Sequence, residues 1–397
     1  MPTQTRWGAV AALLIAGVIA ALQLGKASIA LPFVQRDLML TLTVASWVVG
    51  AYGVLGAAAG LPAGVMSSLF TARNALLAGL AVAGFGSLAG AAANSGALLI
   101  ATRVIEGCGF LVASLAIPRL LRAVTAPNNL DTVLPMFAAY LPTGSVIMML
   151  AGPQLLPFGW QALWIVNGAA VLLCLVMVAC LKIEEPAVAD NPARSLLPNI
   201  RTVLGAPGPL LLALAFGTYT FQYMALAGLL PTLLVERLGV SITAAGAISA
   251  ITVIANAIGN MSAGVLLRIG VPMWAIAAGA FTFVGLAGFG IFSDALPVVA
   301  IAALATVNLA LTGCIPGSIY ATAPKFAPTS ALLAIVLGLI NQTTNVGNLM
   351  GPFVTALVVD TFGWNRAPLI FAGVGIAGVI WALLLRRALR RAAATSP

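Results

Sequence analysis

Charged residues are scarce in this chain of 397 residues: 18 are Lys or Arg, 9 are Asp or Glu, and none is His. Together they make up 7% of the sequence, whereas 61% is apolar; a soluble domain carries roughly 25% charged residues. So few charges cannot cover the surface of a water-soluble fold of this size. This excludes an ordinary soluble enzyme, a nucleic-acid-binding protein and a disordered chain, and it predicts a polytopic membrane protein.

The missing residue types also limit the chemistry. Without His there is neither an imidazole acid–base catalyst nor a His-centred metal site, and none of the four cysteines forms a C-x-x-C pair. The nucleotide-binding pattern G-x-x-x-x-G-K-[ST] is absent as well. We therefore expect no enzymatic activity, no metal and no cofactor, and any transport would use an ion or solute gradient.

The apolar runs are long enough to cross a membrane many times. A span needs ~20 mostly apolar residues, and it must be helical because lipid offers no partner for backbone polar groups. The sequence predicts an all-α protein with twelve transmembrane helices, at about 9–32, 44–67, 75–95, 97–118, 132–157, 162–182, 208–235, 244–267, 272–293, 297–320, 331–358 and 367–385.

The placement of Lys and Arg predicts the orientation. With the N-terminus in the cytoplasm, thirteen Lys and Arg residues fall on the cytoplasmic side and three, Arg36, Arg237 and Arg366, on the outer side. Cytoplasmic loops carry an excess of positive charge. Both termini are therefore predicted to be cytoplasmic, and the net charge of +9 is a topology signal rather than a nucleic-acid patch.

The chain reads as two similar halves. Leu31-Pro32 closes the first span and Leu230-Pro231 closes the seventh, 199 positions later. Ala63-Gly64 and Ala263-Gly264 end the second and eighth spans, 200 positions apart. Gly-Pro followed by Phe-Gly-Trp also occurs after the fifth span and again after the eleventh. This internal repeat predicts two pseudo-symmetric six-helix bundles, 1–182 and 208–397, joined by a cytoplasmic linker at 183–207.

Three motifs resemble signatures of the major facilitator superfamily. The segment 60–73 is similar to its G-x-L-a-D-R-x-G-R-[KR] loop after the second span, although Ser68 stands where Asp is usual and Thr71 where Gly is usual. Arg103-Val-Ile-Glu106-Gly107-Cys-Gly109 resembles R-x-x-q-G-x-G in the fourth span. Gly144 with Gly152-Pro153 partly matches a signature of exporters.

The resemblance implies a fold, a location and a mechanism. The segment from Gln23 and Lys26 to Leu31-Pro32, with Gly351-Pro352, is most similar to the bacterial branch of cyanate and nitroimidazole porters, and drug/proton antiporters are nearly as similar. Such a protein lies in the bacterial inner membrane and rocks two halves about a central site. The resemblance also implies that the first and fourth spans line the cavity.

Three ionisable residues lie inside predicted spans: Lys26 in the first, and Arg103 and Glu106 in the fourth. A charge in the bilayer costs at least ~2.5–3.5 kcal/mol and usually marks function. Lys26 shares a helical face with Gln23, so the pair is a candidate anion receptor; alternatively, Lys26 extends to water along its stem. Arg103 and Glu106 are i, i+3 neighbours, with Glu106 as a candidate proton carrier or as half of a structural ion pair.

The second half has polar side chains in place of interior charges. The candidate substrate contacts are Tyr219 and Gln222 on the seventh span and Asn341 and Asn345 on the eleventh; the alternative is that they only bind helices to one another. The third, sixth, ninth and twelfth spans are almost bare of hydrogen-bonding side chains, which favours a lipid-facing position. The tryptophans at 160, 164, 274 and 364 are predicted to anchor the chain at the membrane surface.

These features favour a secondary active transporter of a small organic solute. Two interior cations against one acid favour an organic anion as substrate, with protons as the coupling ion. The alternatives are a proton-driven multidrug or metabolite efflux pump and, from another class, a non-transporting membrane sensor. The expected partners are the substrate, protons and membrane lipid, without nucleic acid, and the protein is predicted to be a monomer.

Overall fold

The computed structural model describes residues 4–66, 71–181, 183, 196–329 and 332–395, and within these ranges every regular element is a helix. Ser68 of the motif after the second span, Lys182, and residues 184–195 of the predicted linker, which include Arg194, lie outside the described residues. The part of the linker that is described contains one helix, Leu196–Gly205, where the sequence predicted only a polar connection. The boundaries of the two halves stay a prediction.

Twelve helical segments, α1 to α12, run through the described part of the chain. Their bounds are α1 Trp7–Asp37, α2 Leu42–Gly50 and Val54–Met66, α3 Ala72–Ala91, α4 Gly96–Val124, α5 Leu130–Ala138 and Tyr140–Leu155, α6 Gln161–Ala179, α7 Pro207–Thr232, α8 Ile242–Arg268, α9 Met273–Ile291, α10 Val298–Phe326, α11 Leu333–Phe362 and α12 Ala367–Thr395. The predicted edges hold within a few residues, except that α1, α4, α10, α11 and α12 continue further.

Eleven of these segments, among the residues described, are long and apolar enough to cross a membrane. The remaining one is α11, whose 30 residues would span about 45 Å at ~1.5 Å per residue, ample for the ~30 Å hydrocarbon core. Its composition is less apolar because Asn, Gln and Thr occupy positions 341–345 and Asn follows at 348. The helix with the least apolar sequence is thus one that packs between the two halves.

Helix packing repeats with a shift of six helices. In the first half α1 packs on α5, α3 on α6 and α2 on α4; in the second half α7 packs on α11, α9 on α12 and α8 on α10. Two helices are interrupted near their middle or start: α2 by the 3₁₀ turn Ala51–Gly53 and α5 at Ala139. Each interruption adjoins a tyrosine, Tyr52 or Tyr140.

The halves touch along α2 and α11 and along α5 and α8. We call the end of the bundle that holds both chain termini the terminal end, and the opposite one the far end. At the far end Asp360 Oδ2 of α11 accepts hydrogen bonds from the backbone N and Oγ1 of Thr43, each at 2.6 Å. Nearer the terminal end Gln342 Nε2 donates to the carbonyl oxygen of Ala57 at 3.0 Å, so this seam is closed over most of its length.

The seam between α5 and α8 is closed at the far end only. A Cβ on Gly246 would meet the backbone oxygen of Met149 and lie 3.1 Å from Pro153. Gly264 lies 18 residues further along α8, which is five helical turns and therefore the same face. A Cβ there would meet nothing within 4 Å. The bundle is thus open toward the terminal end along this face.

Candidate functional site

The carboxylate of Glu106 holds two cations at one oxygen. Its Oε2 lies 2.9 Å from Lys26 Nζ of α1 and 2.5 Å from Arg103 Nη1 of α4. All three side chains are at most 1% exposed. The pairing of Arg103 with Glu106 follows from their i, i+3 spacing on one helix, whereas Lys26 arrives from α1. The three interior charges that the sequence singled out are therefore one cluster.

Lys26 is enclosed within the first half. Its Nζ donates to Ser87 Oγ of α3 at 2.6 Å and to Asn167 Oδ1 of α6 at 3.0 Å, and it lies 4.7 Å from the ring centroid of Trp164. The alternative that Lys26 extends to water is wrong, because the side chain is completely buried. It turns toward α3 and α6, away from the second half.

The sequence predicts that α3 and α6 are almost bare of hydrogen-bonding side chains and face lipid. Phe85 of α3 and Leu173 of α6 are 62% and 71% exposed, whereas the polar residues Ser87 and Asn167 are buried and accept hydrogen bonds from the ammonium. One sequence prediction is wrong at this place. We expected Trp160 and Trp164 to anchor the membrane surface, yet they are 2% and 0% exposed. A buried ammonium needs several acceptors and a polarisable face. Ser87 and Asn167 provide the acceptors and Trp164 provides the face.

Arg103 ties three helices together. Its Nε donates to the carbonyl oxygen of Val48 in α2 at 2.8 Å. Its Nη1 and Nη2 donate to the side-chain and backbone oxygens of Gln23 in α1, at 3.4 and 3.3 Å. The close approach of α4 to α2 depends on Gly107, where a Cβ would collide with the backbone of Tyr52.

The cluster has hydrogen-bonding capacity to spare. Glu106 Oε1 and Gln23 Nε2 are buried and have no hydrogen-bond partner, although buried polar groups are nearly always paired. The formal charge is +1 when the carboxyl is ionised and +2 when it is protonated. In a low-dielectric interior a change of one charge is a large perturbation.

The second half carries a neutral counterpart of this cluster. Gln222 precedes Leu230 by eight positions, as Gln23 precedes Leu31. The helices α4 and α10 each have 29 residues, and the eleventh residue is Glu106 in one and Asn308 in the other. Gln222 Nε2 donates to Thr312 Oγ1 at 3.2 Å, and both polar atoms of the Asn308 side chain are buried without a partner. Of the two clusters, only that of the first half contains charged side chains.

The other predicted site residues fall into two places. Tyr219 donates its hydroxyl hydrogen to Asn256 Oδ1 at 3.1 Å and lies with Gln222 on α7. Asn345 donates from Nδ2 to the carbonyl oxygen of Asn341 at 2.8 Å. Its amide fills the space that a Cβ on Gly56 of α2 would need, so Asn345 lies in the seam between the halves. Asn341, one turn away, is half-buried.

Replacing Lys26 with Met tests whether this buried ammonium holds the cluster together. We expect the free energy of unfolding in SDS titration to fall by about 3–5 kcal/mol, because removal of one partner leaves the other buried polar groups unpaired. The matched control is Lys325→Met, since Lys325 is an exposed lysine in the last turn of α10. Equal stability of the two variants would contradict the prediction.

The two-half helical bundle with a buried ionic cluster defines a membrane transport protein. Residues 13–341 match the Major Facilitator Superfamily. The chain therefore belongs to the Major Facilitator Superfamily.

Proteins similar in sequence to this chain have names that describe different activities. The chain is 28% identical over 217 residues to the puromycin resistance protein pur8 of Streptomyces alboniger, covering 54% of this chain and 42% of that protein. It is 30% identical over 169 residues to the arabinose-proton symporter of Escherichia coli (strain K12), covering 42% and 36%. The hexuronate transporter of Bacillus subtilis (strain 168) is 24% identical over 384 residues, covering 91% and 90%. The first two matches thus span about four-tenths of those proteins.

Solved structures share the fold. A bacterial homologue of the human lysosomal transporter Spinster, in an inward-facing and occupied conformation, aligns with a TM-score of 0.78 at 13% identity, over 100% of this chain and 98% of that one. This confirms the predicted fold of an all-α transporter built from two six-helix bundles.

Proposed function

We propose that this protein is a proton-coupled transporter of a small organic anion and that Glu106 carries the proton. The observation on which the proposal rests is that a single carboxylate oxygen, Oε2 of Glu106, binds both Lys26 and Arg103. Protonation of this carboxyl weakens both ion pairs at once. The two released positive charges then attract an anion in a region where unpaired charges cost several kcal/mol each.

Counting charges explains how the two solutes would be coupled. The empty cluster has a formal charge of +1, and so does the cluster that holds one proton and one monovalent anion. A cluster that holds only the proton has +2, and one that holds only the anion has 0. If the rocking motion requires the charge of +1, only the empty and the fully loaded carrier change orientation. Proton and anion then move together.

The residues take different roles in this scheme. Arg103 and Gln23 would bind the anion, with Gln23 Nε2 as a free donor. Lys26 acts through Glu106, since its ammonium also donates to Ser87 of α3 and Asn167 of α6. Tyr219, Gln222 and Asn341 supply hydrogen bonds for selectivity. Asn345 works in the seam between the halves.

The organisation around this site follows the same scheme. The halves 1–182 and 208–397 rock about the cluster as a monomer, and both termini lie on the cytoplasmic side of a bacterial inner membrane. The names of two relatives support the chemistry: one is a hexuronate transporter, which carries an acidic sugar, and one is an arabinose-proton symporter.

Uptake of radiolabelled glucuronate into proteoliposomes tests the proposal. One pH unit across the membrane corresponds to ~1.4 kcal/mol, so one-to-one symport permits about tenfold accumulation per unit. We expect accumulation to follow the pH gradient and to be insensitive to a potassium–valinomycin potential, because the charge of +1 is unchanged between the two mobile forms. Protein-free liposomes are the control. Accumulation that follows the potential instead would contradict the charge scheme.

The rival function is proton-driven drug efflux, which the match to a puromycin resistance protein favours. The same vesicles distinguish the two. An efflux pump would extrude puromycin in exchange for protons that move down their gradient. It would not transport organic acids. If the vesicles extrude puromycin and take up no organic acid, the proposal is wrong and drug efflux is the function.

A further inference from the structure

The five tyrosines of the chain belong to two series of aromatic rings, one in each half. In the first half Tyr52, Phe110, Tyr140 and Phe137 form a continuous series of rings, with centroids 6.2, 6.2 and 4.5 Å apart. We call this series the first aromatic wall. It begins at the 3₁₀ turn of α2 and continues to the break in α5.

The second half has a matching series of four rings. Tyr223, Tyr219, Phe216 and Tyr320 follow one another with centroids 5.9, 5.7 and 5.3 Å apart. We call this the second aromatic wall. Tyr320, at its terminal end, is 47% exposed, so the wall reaches the side on which the bundle is open.

The two walls belong to different halves. Tyr223 of the second wall lines a small cavity between the halves together with Leu24 and Ser145 of the first half, so this end of the second wall lies beside the part of α1 that contains Gln23. In the described part of the chain, the ring contacts of these eight residues all lie within one wall or the other. The rings of the two halves are thus not packed on one another.

The far end of the first wall adjoins the ionic cluster. Gly107 of α4, the residue after Glu106, packs directly against the backbone of Tyr52. Beside Arg103 lies the buried, unpartnered Nε2 of Gln23, a donor that fits a carboxylate oxygen. Rings and anion site thus follow one another along the gap.

We propose that the transported anion is an aromatic carboxylate, whose ring lies between the two walls and whose carboxylate binds Arg103 and Gln23. This inference rests on the proposed function and specifies its substrate. Offset or edge-to-face ring pairs contribute ~0.5–1.5 kcal/mol each beyond the area they bury.

Binding of matched acids to the purified, full-length protein in detergent tests the ring. The probes are 4-hydroxybenzoate and cis-4-hydroxycyclohexanecarboxylate, which have the same polar groups and nearly the same size but differ in aromaticity. We expect 4-hydroxybenzoate to bind about tenfold more tightly, as one or two ring pairs would give. Equal affinities would overturn the inference.

Two substitutions at one position separate ring stacking from hydrogen bonding. Tyr223→Phe keeps the ring and should keep the preference, whereas Tyr223→Leu should reduce it severalfold. Tyr140→Phe and Tyr140→Leu repeat the comparison on the first wall, in case the first pair does not fold. A preference that survives both leucine variants would overturn the placement of the ring.

Glucuronate distinguishes the failure of this inference from that of the proposed function. If glucuronate accumulates with the pH gradient while the two cyclic acids bind equally or not at all, proton-coupled anion transport stands and the aromatic substrate is wrong. If no acid binds and none accumulates, both are wrong.

Discussion

Replacing Glu106 with Gln is expected to abolish accumulation driven by the pH gradient while leaving exchange of anion for anion intact. The amide mimics the protonated carboxyl in size and charge, so Lys26 and Arg103 stay available to the anion. The loaded variant has a formal charge of +2 − 1 = +1 and can change orientation. The empty variant has +2 and cannot return, since an unpaired buried charge costs about 3–5 kcal/mol, which slows the step by roughly a hundredfold or more.

Two flux measurements on the same vesicles check this result. Net uptake under a pH gradient should fall to the level of protein-free liposomes, and counterflow of labelled against unlabelled anion should persist at any pH. The matched control is Glu236→Gln, the same substitution at an exposed carboxyl beyond the end of α7. Undiminished pH-driven accumulation in Glu106→Gln would show that the proton binds elsewhere.

Apolar run lengths and repeated motifs were sufficient to predict much of this fold. Hydrophobic length alone predicts the helices, since lipid forces each run to satisfy its own backbone. The equal spacing of Leu31-Pro32 and Leu230-Pro231 predicts the repeat, and the packing of α1 on α5 and of α7 on α11 follows it. The same rule fails for the helix Leu196–Gly205, because run length carries no signal for a helix too short to span.

The candidate site was only partly predictable. The rarity of charge in lipid identified Lys26, Arg103 and Glu106, and the i, i+3 spacing paired the last two. The partner of Lys26 could not be read from spacing because it depends on how α1 crosses α3, α4 and α6. One signal was available: Asn167 is the only amide side chain within an otherwise apolar stretch, 162–181. An isolated polar residue in such a run indicates a buried partner.

The neutral cluster of the second half shows why a repeat in sequence does not repeat function. Gln23 and Gln222 occupy equivalent positions, yet Glu106 corresponds to Asn308, and Ala225 stands 199 positions after Lys26. Replacement of a carboxylate by an amide removes a proton site but keeps hydrogen-bonding groups in place. The first half is thus suited to charge and the second to neutral contacts, which agrees with a carrier that couples one proton to one anion.

Replacing Gly264 with Leu is expected to slow transport without affecting folding. A side chain at Gly264 meets nothing within 4 Å, whereas Gly246, on the same face of α8, packs against the backbone of Met149. Alternating access requires the open end of a seam to close in the other orientation. A leucine at this position would then meet α5, and overpacking costs ~1–3 kcal/mol, which corresponds to a slowing of about five- to hundredfold.

The prediction separates the closing step from stability. Thermal stability in detergent, where the open form is measured, should equal that of the unsubstituted protein, while both net uptake and counterflow of the anion should fall together. Gly279→Leu is the matched control, because a Cβ on Gly279 of α9 also meets nothing within 4 Å and α9 packs outside the seam, on α10 and α12. Counterflow is expected to persist in Glu106→Gln and to fall in Gly264→Leu. The two variants therefore distinguish a carrier that cannot return empty from one whose closing step is impaired. Normal counterflow in Gly264→Leu would mean that α8 never packs against α5 at the terminal end of this face.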